Sequence, residues 1–113
     1  MALPWQLHPA APGAPAIEVV EPDPSQPLRP PVCIRLSFRP QAGAAIEPKS
    51  FRALYGWFGL DITATLLRYA TISADGLVVE RAEIPSGRHK ITLLIADTLG
   101  RIGRRTLHVK VLR

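Results

Sequence analysis

The chain has 113 residues, of which 47% are hydrophobic and 20% charged, with 12 prolines and a formal net charge of +5. This length suits one domain with one core, and the apolar fraction excludes a chain that is disordered throughout. The prolines exclude long helices because each removes a hydrogen bond and clashes with the preceding turn, and no apolar run approaches the roughly 20 residues of a membrane span.

The N-terminal segment, residues 1–15, is rich in proline and alanine. This composition predicts an extended arm or linker, followed by a domain over residues 16–113. The segment lacks the basic start and the apolar run of a secretion signal. Either the protein stays inside the cell or its signal lies elsewhere. The second alternative, an extracytoplasmic or cell-surface location, is favoured because such segments often tether domains within longer chains.

Three strands are predicted in the first half of the chain. Ile17 and Val19 alternate with Glu18, which indicates a short edge strand before a proline-rich connection. The clearest strand covers residues 32–39, where every second side chain is apolar and falls on one face. A further strand over residues 50–57 continues this alternation and places Trp57 on the same face as Tyr55. A bend or bulge is expected between Gly56 and Gly59.

The second half alternates short strands with turns. One helical turn is expected near residues 62–68, with Asp61 as its cap. A hairpin is expected at Asp75-Gly76, since Asp-Gly supplies the positive φ of a tight turn, and a bulge near Val78 and Val79 in the returning strand. Residues 91–96 and 106–111 alternate again and predict a final hairpin.

About seven short strands at this spacing are typical of an all-β, antiparallel two-sheet sandwich of the immunoglobulin-like kind. A parallel α/β fold needs crossover helices of about a dozen residues, for which there is no room. The predicted core residues are the inward members of each alternating strand. They are Ile17, Val19, Ile34, Leu36, Phe38, Phe51, Ala53, Tyr55, Leu93, Ile95, Leu107 and Val109.

Five stretches of the chain carry a resemblance to a known family of domains. They are the Ile-Pro-Ser-Gly-Arg-His corner at residues 84–89, the strand leading to the Asp-Thr-Leu-Gly turn at 97–100, the last strand at 107–111, the first strand at 16–22 and the Leu-Asp-Ile-Thr segment at 60–63. Over most of residues 16–112 the chain resembles bacterial immunoglobulin-like domains. The resemblance implies adhesion, carbohydrate or protein binding, or spacing of domains within longer surface chains, and a fold alone does not choose among these.

The residue types that carry catalysis or bind metals are scattered. His8, His89 and His108 lack the close spacing of metal ligands, so no metal and no cofactor are expected. Cys33 is the single cysteine, which excludes an internal disulfide, and it lacks a catalytic signature. The aspartates at 61, 75 and 97 fall in predicted loops or turns, where aspartate bonds nearby backbone amides. We therefore expect no catalytic residues and a protein that is not an enzyme.

The positive charge is concentrated after residue 80, where the sequence has eight lysines and arginines and only two acidic residues. Arg101, Arg104 and Arg105 lie in the last predicted hairpin and are the candidate partner contacts. The glycines beside them do not form a phosphate loop, since a strand follows instead of a helix.

The expected function is therefore a non-catalytic module for protein or glycan binding, or for spacing domains in a larger bacterial protein. The alternative is a basic domain that binds an anionic polymer, either nucleic acid, which is less favoured, or acidic polysaccharide. Neighbouring domains of a longer chain, or a second copy, could also cover a small apolar patch of Val78, Leu94 and Leu99.

Overall fold

The computed structural model describes residues 13–113, so the predicted arm lies outside the described residues except for positions 13–15. The elements are β1 (Ala16–Glu21), β2 (Val32–Arg39), β3 (Ile46–Tyr55), β4 (Leu60–Asp61), α1 (Thr63–Leu67), β5 (Thr71–Ile72), β6 (Gly76–Ala82), β7 (Gly87–Asp97) and β8 (Ile102–Val111). They form two four-stranded antiparallel sheets, ordered β1-β2-β6-β5 and β4-β3-β7-β8. The prediction of an all-β sandwich is confirmed, and the architecture is compatible with an immunoglobulin-like fold.

The core lies between the sheets, where the inward side chains of alternating strands meet. Phe51, Leu77 and Ile95 are the largest fully buried side chains. Seven of the predicted core residues are buried, which confirms the alternation on which they were chosen; they are Ile17, Leu36, Phe38, Phe51, Ala53, Leu93 and Ile95. The other five are half-buried because they line an open cavity at one end of the sandwich; they are Val19, Ile34, Tyr55, Leu107 and Val109.

The proline-rich connection between β1 and β2 crosses from the first sheet to the edge of the second. Its Leu28 is buried, accepts a hydrogen bond from the Leu112 amide at 2.8 Å and donates one to the Lys110 carbonyl at 2.8 Å. These bonds make a short parallel bridge to Val111. The connection thereby pairs the end of the edge strand β8, which would otherwise be open.

The turn before β6 differs from the expectation. Gly76 has no positive φ; instead, a Cβ at this position would lie 1.9 Å from the carbonyl oxygen of Leu36. Glycine is therefore required here by the close approach of β2 and not by turn geometry. The irregularity expected near Val78 lies slightly later, between Val79 and Ala82, where the pairing with β2 shifts register.

The short helix α1 packs against β3, and the second sheet has a groove on its outer face. Helix α1 confirms the predicted helical turn, but its N-cap is Ile62 and not Asp61. Asp61 lies one residue earlier and accepts a hydrogen bond from the Thr63 amide at 2.9 Å. The Thr63 hydroxyl accepts one from the Ala53 amide at 2.9 Å, which fixes α1 against β3. The prediction that Leu94 is exposed is wrong, since it is 5% exposed in a groove that Arg52 also lines on the outer face of the second sheet.

Candidate functional site: an aromatic tip beside an open cavity

The turn between β3 and β4 forms an aromatic tip, which we define as residues 56–60. Gly56 and Gly59 have φ values of 74° and 64°, in a region that residues with a Cβ rarely adopt. The Gly56 amide donates to the Lys90 carbonyl at 2.8 Å, which holds the start of the turn against β7. The two glycines therefore reverse the chain and leave Trp57 and Phe58 at its end.

The two aromatic side chains at the tip point into solvent. Trp57 is 81% exposed and Phe58 is 99% exposed. The prediction that the strand continues to Trp57 on its inward face is wrong, because β3 ends at Tyr55 and the chain turns at Gly56 before the next inward position. The Nζ atom of Lys90 lies 4.0 Å from the centroid of the Trp57 ring, within the range of a cation–π interaction.

Further apolar side chains extend the exposed surface at this end. Leu60 is 63% exposed, and Tyr69, after α1, is 72% exposed. Single exposed apolar residues are ordinary, but several large ones beside one another mark interaction surfaces. The paired glycines around Trp57 and Phe58 were the sequence signal for this site, although the alternation of β3 favoured burial instead.

Basic side chains cover the outer face of the second sheet next to the tip. In the pairing of β7 with β8, Arg88 lies opposite Lys110, and Lys90 lies opposite His108. Ile91, Leu93 and Ile95 of β7 face the core. Because side chains alternate along a strand, Arg88 and Lys90 and their partners on β8 lie on the outer face. Arg88 and Lys110 are opposed cations that repel each other across the sheet, and an anionic group bound across this pair would relieve that repulsion.

The three arginines proposed from the sequence lie towards the other end of β8. Arg101 forms an ion pair with Asp97, with Nε at 2.7 Å from Oδ2, so its guanidinium is already engaged within the fold. Arg105 donates from Nη1 to the Ile17 carbonyl at 3.3 Å, across the open side between β1 and β8. Arg104 lies opposite Leu94 on the outer face. The structure therefore separates these arginines from the aromatic tip, and their role as contacts stays a prediction.

An apolar cavity of about 710 Å³ opens between the two sheets at the same end as the tip. Its wall includes Tyr55, whose hydroxyl lies 2.6 Å from Nδ1 of His89, while Nε2 of His89 lies 2.8 Å from the Pro85 carbonyl. A carbonyl oxygen can only accept, so Nε2 carries the hydrogen and Nδ1 accepts from Tyr55. The pair thus joins the end of β3 to the start of β7 beside the cavity.

The remaining candidate groups do not assemble into a reactive centre. Cys33 is half-buried, with its Sγ 3.2 Å from a Glu21 carboxylate oxygen. The hydrogen bond to Glu21 raises the pKa of the Cys33 thiol, which disfavours the nucleophilic thiolate. Within residues 13–113, no group of three His, Cys, Asp or Glu side chains is placed to hold a metal ion. His8 lies outside the described residues, and His108 is exposed.

Comparisons with known proteins give no relative for this chain: no family model matches it, and neither does any curated protein or solved structure. None of the helices in the described part of the chain is long and apolar enough to cross a membrane. The class of the protein therefore follows from the fold and the site: a two-sheet antiparallel β-sandwich with an aromatic tip and an open cavity at one end.

Proposed function

We propose that this chain is a non-catalytic binding module of the bacterial immunoglobulin-like kind, and that it contacts a protein or glycan partner through the aromatic tip. The observation that supports the proposal is the exposure of Trp57 and Phe58, at 81% and 99%. Keeping large apolar rings in water is unfavourable, and burying them against a partner would release that cost. Aromatic residues of this kind dominate the binding energy of many interfaces.

The surroundings of the tip support binding over a pure spacer role. A domain that only separates its neighbours gains nothing from two exposed rings on a turn. Lys90 beside Trp57 adds a cation that can orient a partner with a carboxylate or another acidic group. The tip is also short and held to β7 by the bond from Gly56 to Lys90, so little ordering is required when a partner binds.

The proposal predicts that the tip is required for association and not for folding. The double variant Trp57→Ser/Phe58→Ser, made in the full-length protein in its own cell, should lose the partner that co-purifies with the wild type, by about tenfold or more. Its melting temperature should stay near the wild-type value, because both side chains are exposed. The readout is the amount of partner recovered per amount of bait.

The matched control for this experiment is Leu99→Ser. Leu99 is also an exposed large apolar residue, at 64%, but it lies beyond the opposite end of β7. It should retain the partner. Equal recovery by the tip variant, Leu99→Ser and wild type would overturn the proposal.

A second candidate function is binding of an anionic polymer, either nucleic acid or acidic polysaccharide. The observation that favours it is the basic outer face, where Arg88 opposes Lys110 and Lys90 opposes His108 beside the exposed Trp57. A cationic sheet face can neutralise successive anionic groups, and an exposed aromatic ring can stack on a base.

This second candidate predicts steep salt dependence. The wild type should bind heparin-like polymers or single-stranded nucleic acid at low salt and release them as salt rises, because counterions compete. Lys90→Glu/Lys110→Glu should abolish low-salt binding. Arg81→Glu reverses one positive charge on β6, in the other sheet, and should weaken low-salt binding far less. Absence of wild-type binding at low salt would contradict the anionic-polymer function and leave the tip-mediated function standing.

A further inference from the structure

The cavity at the tip end is an open cleft between the two sheets. Its volume, between the described residues that line it, is about 710 Å³. This volume falls in the range of about 300–1,000 Å³ that is usual for small-molecule sites. At the other end of the sandwich, Phe38, Ile46 and Phe51 are buried and fill the space between the sheets. Among the described residues, the open space is therefore confined to one end of the sandwich.

The wall of the cavity is built from aliphatic side chains of both sheets. Ile34 and Val79 come from the first sheet, Ile91 and Leu107 from the second, and Leu66 from α1. Val79 is buried, whereas the other four side chains are only half-buried although they face inward. An apolar molecule in the cavity would remove their remaining surface from water, which is the condition for hydrophobic binding.

The polar groups of the wall indicate where a head group would lie. Tyr55 and His89 use their hydrogens within the wall, so neither presents a free donor to the interior. Arg81 and Glu83 also line the cavity, and both are exposed, which places them at its mouth. The interior is thus suited to an uncharged chain and the mouth to a polar or charged group.

From these observations we propose that the cavity binds a molecule with a single unbranched aliphatic chain, which lies between the sheets with its head group at the mouth near Arg81 and Glu83. The lining of the interior is mainly aliphatic, and the hydrogens of Tyr55 and His89 are already engaged, so it suits an aliphatic chain without polar groups. None of residues 56–60 of the tip lines the cavity, so this site does not depend on the proposed function.

Two residues of one strand give a matched pair of variants. Val79 faces the cavity, whereas Val78, next to it on β6, pairs with Thr71 and Arg35 and does not line the cavity. Val79→Phe should narrow the cavity and weaken the binding of decanoate and 1-decanol by about tenfold or more. Val78→Phe should leave the affinity for both probes within about twofold of the wild type. The measurement is titration of the full chain with each probe below its aggregation concentration, followed by methyl chemical shifts.

Folding and head-group controls complete the test. Ala82→Leu, at another lining residue, gives a second variant that narrows the cavity, and a melting temperature near that of the wild type shows that a variant is folded. Arg81→Gln should weaken the binding of decanoate, which carries a carboxylate, and should not change the binding of 1-decanol. The proposal is overturned if neither probe saturates, if Val79→Phe and Ala82→Leu bind as the wild type does, or if decanoate responds to neither Arg81→Gln nor Glu83→Gln. A dimer that Val79→Phe dissociates would assign the opening to a second copy and also overturn it.

Discussion

Replacing Ile95 by alanine is expected to lower the free energy of unfolding by about 2–5 kcal/mol. Ile95 is fully buried, and β7 lies between β3 and β8, so the backbone on both sides holds the site open. The surrounding core cannot collapse into the space left by the truncation, and the loss therefore combines the transfer of the removed methylenes with the cost of a cavity. Denaturant unfolding followed by circular dichroism measures it.

Two further truncations show whether the effect reports the core. Val20→Ala, at a residue 54% exposed on β1, should change stability by less than about 0.5 kcal/mol. Leu107→Ala should cost less than Ile95→Ala because Leu107 already borders the open cavity. A loss well under about 1 kcal/mol for Ile95→Ala would contradict the placement of β7 at the centre of the second sheet.

The second large effect is expected at Asp97, whose side chain is fully buried in the turn between β7 and β8. Its Oδ1 accepts hydrogen bonds from the amides of Leu99 and Arg101, each at 2.9 Å, and its Oδ2 accepts from Arg101 Nε at 2.7 Å. Removing the carboxylate leaves these donors unpaired and the guanidinium without its counterion. Asp97→Ala should lower the melting temperature by about 10 °C or more.

The control is Asp75→Ala, since Asp75 is an exposed turn residue, and it should change the melting temperature by only about 1–2 °C. If Asp97→Ala melts within a few degrees of the wild type, the buried ion pair is not a main support of the last hairpin.

The same carboxylate gives a pH dependence with a defined sign. Burial raises the pKa of Asp97, but the hydrogen bonds from Arg101 and Leu99 and the charge of Arg101 outweigh it, so the folded pKa lies below its ordinary value. Because the pKa of Asp97 is lower in the folded than in the unfolded chain, its ionised carboxylate stabilises the fold at pH values above the unfolded pKa of about 4. This stabilisation is lost as the pH falls through the folded pKa. The difference in melting temperature between wild type and Asp97→Ala should be constant near neutral pH and should narrow below about pH 4. A difference that is the same at pH 7 and in acid would contradict this account.

Local patterns in the sequence predicted β2 and the bonding of the turn at Asp97, but not the role of Gly76 or the bounds of β3. The alternation over residues 32–39 gave β2 with its observed bounds, and the aspartate at 97 bonds the amides of its own turn as expected. These features depend on neighbouring residues alone, which is why they can be derived from the chain. The fold class followed from the same local signals.

Features that depend on the meeting of distant segments were not predictable. The alternation of β3 runs on to Trp57, but Gly56 turns the chain against β7, which exposes the ring. Leu94 faces outward, yet side chains of neighbouring strands bury it. The cavity exists because the side chains of both sheets leave space at one end, and no single strand shows this. The candidate site therefore lies at the tip and not at the arginines of the last hairpin.

The most direct test of the central claim is photo-crosslinking in the cell with a benzophenone amino acid placed at one position at a time. Position 58 probes the tip, and position 105 probes the basic hairpin; both are exposed in the fold. We predict a discrete crosslinked adduct from position 58 and none from position 105. An adduct from position 105 with none from position 58 would contradict the claim that the aromatic tip is the contact surface of this β-sandwich.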